Sequence, residues 1–174
     1  MENPNNAQKI LIIEDDIFLG DVLLQKLIKD GFSATLVQDG GDGFKAIKTL
    51  MPDLILLDIV LPTMNGYEIL EAKAKDSVIS GIPVIVVSNS GQPVEINRVL
   101  ALGVSEYIVK AQFDPEEVMI KVRNQLRKDR KGLDAVLGAP AAASTVSLEG
   151  KKIMWVEDDK FLNDIISRKL ASQK

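Results

Sequence analysis

Cysteine and histidine are both absent from this chain of 174 residues. Without cysteine there is no disulfide framework, no thiolate metal site and no cysteine nucleophile. Without histidine there is no imidazole base, no His-ligated zinc and no phosphohistidine donor. Aromatic residues are few, at 5 % of the chain. Neither sign of charge dominates: 21 basic and 25 acidic residues leave a formal charge of −4. That balance argues against a non-specific nucleic-acid binder, and no direct nucleic-acid binding is expected. No apolar run approaches the roughly 20 residues that span a bilayer. The opening "MENPNNAQK" lacks the basic-then-apolar order of a signal peptide. A soluble, cytoplasmic protein without membrane contact is the expectation.

What the chain does have is hydrophobic residues, 46 % of the total, written in short runs. Ile10–Ile13 ("ILII"), Leu54–Leu57 ("LILL") and Pro83–Val87 ("PVIVV") are continuous and rich in branched side chains. Strands buried on both faces of a parallel sheet read this way. Ser33–Val37 and Glu106–Val109 supply two weaker strands. Helical patterns lie between them: Phe18, Leu19, Val22, Leu23 and Leu27 share one face, and Val118, Val122 and Leu126 recur at every fourth position. Gly31, Gly81 and Gly103 sit where helices are expected to end. The pattern predicts five βα units over residues 9–130, a doubly wound α/β domain with a five-stranded parallel sheet.

An internal repeat follows. Lys152–Leu170 matches Lys9–Leu27 at ten of nineteen positions, an offset of 143. The intervening stretch, "GLDAVLGAPAAASTVSLEG", turns small and Ala/Ser/Pro/Gly-rich. The expected organisation is a tail at 1–8, the α/β domain at 9–130, a linker at 131–150 into whose start a helix can persist, and at 151–174 the opening of a second domain. One strand and one helix cannot bury a core alone.

In such sheets ligands bind beyond the carboxyl ends of the strands. The first strand ends at Glu14–Asp15, the third at Asp58, the fourth at Ser88 and the fifth at Lys110. Taken singly, these residues have ordinary structural uses. An acid after a strand is more often a helix N-cap, and Asp16 is expected to cap a helix from Ile17. Ser88 and Lys110 alone read as loop residues. Taken together, three acids, a hydroxyl and an amine on one rim describe phosphoryl transfer. Clustered carboxylates repel unless a cation offsets them. Oxygen-only ligands suit a hard ion, and Mg²⁺ is the expected one. Metal and lysine would neutralise the transferring group while a carboxylate attacks.

On these residues the sequence resembles a two-component response-regulator receiver domain, the CheY-like family with a flavodoxin-like (βα)5 fold. The resemblance is carried by "IIEDD", "LILLDIVLPTMNGYEIL", "IPVIVVSNS" and "GVSEYIVK", with spacings of 43, 30 and 22 residues between Asp15, Asp58, Ser88 and Lys110. It implies a phosphorelay switch rather than an enzyme. Asp58 would be the phosphoacceptor, Asp15 a direct Mg²⁺ ligand, Glu14 a ligand through water, and the Val60 carbonyl a further ligand. Ser88 and Lys110 would grip the phosphoryl group, and Tyr107 would be the aromatic that turns inward with Ser88. The implied partners are a sensor histidine kinase or a histidine phosphotransfer protein, with a homodimer through the face of the fourth helix, fifth strand and fifth helix. Residues 151–174 resemble the start of a second, truncated receiver, with Glu157–Asp158 matching Glu14–Asp15.

Two positions depart from the family pattern: Ala111 replaces the usual proline after the lysine, and Asn89 replaces a small residue after Ser88. An aspartyl-phosphate phosphatase of the haloacid dehalogenase type needs a second Asp where Val60 stands, and a dinucleotide site needs a Gly-rich first turn that is missing. The remaining alternative is a degenerate receiver that serves as a phosphorylation-independent interaction module.

Overall fold

A computed structural model describes residues 7–112 and 114–138. The linker beyond residue 138, the second copy at 151–174 and most of the N-terminal tail lie outside the described residues. Five strands and five helices alternate: β1 (Lys9–Ile13), α1 (Ile17–Lys29), β2 (Ser33–Val37), α2 (Gly40–Leu50), β3 (Leu54–Leu57), α3 (Gly66–Lys75), β4 (Val84–Ser88), α4 (Pro93–Ala101), β5 (Glu106–Val109) and α5 (Pro115–Gly138). Lys110–Gln112 forms a 3₁₀ turn between β5 and α5. The expected doubly wound fold is the one observed: a five-stranded sheet in the order β2-β1-β3-β4-β5, with every pairing parallel.

Burial follows the strand sequences. The continuous apolar runs β3 and β4 are buried along their whole length, whereas the edge strands β2 and β5 are only partly covered. Successive side chains point to opposite faces. Ile10, Ile12, Leu54, Leu56 and Ile85 therefore pack under α1 and α5, joined by Leu23, Leu27, Val118, Val122 and Leu126. Leu11, Ile13, Ile55, Leu57, Val84 and Val86 pack on the other face with Ile47, Ile69, Leu70 and Val99.

Two details differ from the sequence pattern. Phe18 stands 79 % exposed, off the buried face of α1 formed by Leu23 and Leu27. Gly31 and Gly103 take positive φ after α1 and α4, but α3 ends at Lys75, so Gly81 lies in the loop toward β4. Helix α5 runs to Gly138, into the start of the segment expected to be a linker with some helix persisting there. Among the described residues no helix is long and apolar enough to cross a membrane.

Candidate functional site

Sheet register brings the candidate residues together. Ile13 pairs with Leu57 and Leu57 with Val86, so Glu14 and Asp58 leave neighbouring strands side by side. Ser88 pairs with Val109, which puts Lys110 one residue beyond the same rim. Glu14, Asp58 and Ser88 are buried at 1 %, 2 % and 3 % exposure, while Asp15 is exposed. Carboxylate oxygens of Glu14, Asp15 and Asp58 lie within 4.8 Å of one another.

Lys110 spans this cluster. Its Nζ donates to Glu14 Oε1 and to Asp58 Oδ2, both at 2.7 Å. Burial pulls the ammonium down, but the hydrogen bonds to Asp58 and Glu14 outweigh it and hold Lys110 above its ordinary value. Burial pushes Glu14 up, the Lys110 hydrogen bond opposes that, and the Asp58 charge adds to the rise. The other Asp58 oxygen, Oδ1, accepts from the amides of Ile59 at 2.6 Å and Val60 at 3.2 Å, which fixes the carboxylate plane.

Asp16 caps α1 as expected, its side chain accepting from Leu19 N. Ser88 Oγ accepts from Ser90 N at 3.4 Å, so its own proton remains available to another acceptor. Half-buried Tyr107 donates through its hydroxyl to the Ser90 carbonyl at 2.5 Å, tying β5 to the loop after β4. The Val60 side chain is 66 % exposed on the loop that follows Asp58. The Lys110–Ala111 bond is trans, as are the others described. The structure thus gathers Glu14, Asp15, Asp58, Ser88 and Lys110 at one rim, with Val60 and Tyr107 on segments that border it. Asp39 and Thr63, which brace the loop carrying Val60, were not found by sequence reasoning.

The model of the response regulator receiver domain family matches residues 10–123. The chain belongs to this family. The DNA-binding response regulator MtrA of Mycolicibacterium paratuberculosis is 34 % identical to this receiver over 122 residues, covering 70 % of this chain and 52 % of that protein. The transcriptional regulatory protein PcoR of Escherichia coli is 32 % identical over 151 residues, covering 84 % and 66 %. A solved CheY-like receiver domain protein from Methanospirillum hungatei JF-1 superposes with a TM-score of 0.68 at 28 % identity, covering 73 % of this chain and 99 % of that one. The chain spans about half the length of the MtrA relatives it matches.

These relatives correct one expectation. No direct nucleic-acid binding was inferred from a net charge of −4, yet MtrA is by name a DNA-binding response regulator. Net charge sums the whole chain and does not decide nucleic-acid binding, and nearly half of each such relative lies outside the segment compared.

Proposed function

We propose that this receiver is a Mg²⁺-dependent phospho-aspartate switch in a two-component phosphorelay. Asp58 takes a phosphoryl group from a sensor histidine kinase or a histidine phosphotransfer protein. The observation that carries the reading is Lys110 bridging the buried carboxylates Glu14 and Asp58 beside exposed Asp15. The donor set fits a hard divalent ion: three carboxylates in reach of one another, with no histidine or cysteine in the chain. Asp15 and Asp58 would hold Mg²⁺ directly, Glu14 through water, and the Val60 carbonyl would complete the protein's share. Bound there, Mg²⁺ would neutralise charge on the phosphoryl oxygens.

The remaining chemistry belongs to the chain's own groups. An Asp58 carboxylate oxygen forms a bond to phosphorus as the P–N bond of the donor phosphohistidine breaks, leaving the electron pair on the imidazole nitrogen. The amides of Ile59 and Val60 hold Asp58 in one orientation for that approach. Lys110, already at Asp58 Oδ2, offers its ammonium to the incoming phosphoryl oxygens, and the Ser88 hydroxyl donates to another. Tyr107, hydrogen-bonded to the loop after Ser88, would report that change at the surface of β5. Residues 131–150 and 151–174 are read as a linker and the start of a second receiver.

The site also predicts a long-lived acyl phosphate. Side chains two positions beyond Asp58 and Ser88 are Val60 and Ser90, neither suited to orient an attacking water. Labelling with acetyl phosphate should require a divalent cation, and Asp15→Ala should need a much higher Mg²⁺ concentration. Full activity of Asp15→Ala at ordinary Mg²⁺, or a phosphoryl lifetime of seconds that Val60→Asn leaves unchanged, would count against the reading.

A further inference from the structure

Thr63 holds φ 60°, a conformation that a β-branched side chain disfavours. Across it Met64 N donates to Pro62 O at 2.7 Å, which makes residues 62–64 a γ-turn of the rare positive-φ kind. Strain of this sort persists only where the surroundings over-determine it. The N-terminus of α2 does so here. Gly40 N donates to the same Pro62 carbonyl at 3.1 Å. Gly41 N donates to Thr63 Oγ1 at 3.1 Å, and Thr63 Oγ1 donates in turn to Asp39 Oδ1 at 2.8 Å. Asp39 Oδ1 also caps α2 by accepting from Asp42 N at 2.9 Å. A Cβ on Gly40 would stand 1.7 Å from Met64 O, so the approach is open only to glycine.

Three hydrogen bonds therefore tie α2 to the middle of the loop that leaves Asp58. The far end of that loop is closed as well. Gly66 N donates to Ile59 O at 2.9 Å, and Asn65 and Glu68 form a reciprocal capping box at the start of α3. Between these ties sits Val60, whose side chain is 66 % exposed and so has little packing of its own to place its backbone. Its segment is held by its own amide on Asp58 before it and by the braced turn beyond it.

We infer that Asp39 and Thr63 are positioning residues for the metal site: they hold the loop from which the Val60 carbonyl would complete the acidic cluster. The inference rests on the proposed reading of Glu14, Asp15, Asp58 and Val60 as a Mg²⁺ site. Calorimetric titration of the full chain with MgCl₂, paired with thermal unfolding in EDTA, tests it. Thr63→Val, which keeps the branched shape and loses the hydroxyl, should weaken Mg²⁺ binding by about tenfold, the low end of what outer partners of metal ligands contribute. Thr63→Gly suits φ 60°, folds without strain, and should weaken binding similarly, as should Asp39→Ala. Thr63→Ser retains the hydroxyl and should restore the affinity. If Thr63→Val and Thr63→Gly bind Mg²⁺ as the unmodified chain does while the unfolding temperature moves, the brace is structural only and the inference fails with the metal reading intact. If the unmodified chain binds no Mg²⁺, the reading beneath it fails first.

Discussion

A buried lysine and a part-buried one stand near opposite rims of the sheet; burial lowers both, and their partners decide the net shift. Lys73, toward the end of α3, is 6 % exposed and donates to the Ser80 carbonyl at 2.7 Å. Burial lowers its pKa, with no carboxylate among the causes. Lys110 is drawn down by burial too, yet its two carboxylate partners raise it overall. Around Lys73 the chain satisfies a charge with a neutral backbone group. Around Lys110 it has gathered charges of both signs where water is scarce. The same contrast runs along the strand starts, where Lys9 and Asp53 exchange exposed hydrogen bonds, Lys9 N to Asp53 Oδ2 at 2.7 Å and Asp53 N to Lys9 O at 2.8 Å. One rim closes the fold, and the other concentrates ionic groups that the fold alone does not need.

Removing each lysine should separate the two rims. Lys110→Met strands two buried carboxylates and should cost about 3 kcal/mol in denaturant unfolding without divalent ions, the usual scale for breaking a buried pair. Added Mg²⁺ should narrow that loss. No loss in EDTA would mean that the Glu14–Asp58 cluster carries little repulsion.

Next in size is a contrast between glycines. A Cβ at Gly66 would meet Asp58 O at 2.5 Å and Ile59 Cα at 2.7 Å, both backbone, so Gly66→Ala should destabilise by about 2 kcal/mol as an overpacked site. A comparable midpoint for Gly66→Ala and the unmodified chain would show that the loop after Asp58 yields.

Lys73→Met comes third. It removes a charge from an apolar setting but leaves the Ser80 carbonyl without its donor, so at neutral pH the net change should stay within about 1 kcal/mol. The pH dependence is the sharper readout. Below the depressed folded-state pKa, Lys73 is charged in both states and its contribution is level. Between that pKa and the unfolded value of 10.5, the folded state releases its proton first and stability rises with pH. Lys110 runs the other way: its contribution is full below 10.5 and is lost as pH rises through its elevated folded-state pKa. Stability difference curves of each variant against the unmodified protein should therefore slope oppositely in alkali. Parallel slopes would erase the distinction.

The smallest effect belongs to Gly81, where an added Cβ meets nothing within 4 Å. Gly81→Ala should stabilise by about 0.5 kcal/mol through loss of unfolded-state freedom. A loss of stability there would mean that the loop into β4 is more constrained than its open surroundings suggest.

The sheet and the gathering of site residues at one rim were legible because they depend on simple periodicity. Continuous branched runs such as "LILL" bury both faces, and the residue after each run must then emerge at the carboxyl end. Features set by tertiary contact were not legible. Phe18 is a different case, a misgrouping: at about 100° per residue it lies roughly half a turn around α1 from Leu23 and Leu27, so the spacing itself turns it to solvent. Gly81 resembled a helix stop, although α3 had already ended under other caps. Thr63 carries no local signal for positive φ; its conformation is imposed by Asp39 and Gly41 from another helix. Charge misled in its own way, since −4 describes a chain that spans only about half of the DNA-binding relatives it matches.

The central claim is that the carboxylate held beneath Lys110 is the phosphoryl acceptor. Intact-mass spectrometry after incubation with acetyl phosphate and Mg²⁺, followed by peptide mapping, tests it most directly. The account predicts the gain of one phosphoryl group on Asp58 in the unmodified protein, and none in Asp58→Asn or when EDTA replaces Mg²⁺. A phosphoryl group that still forms in Asp58→Asn, or an unmodified protein that gains none at saturating Mg²⁺, would contradict it.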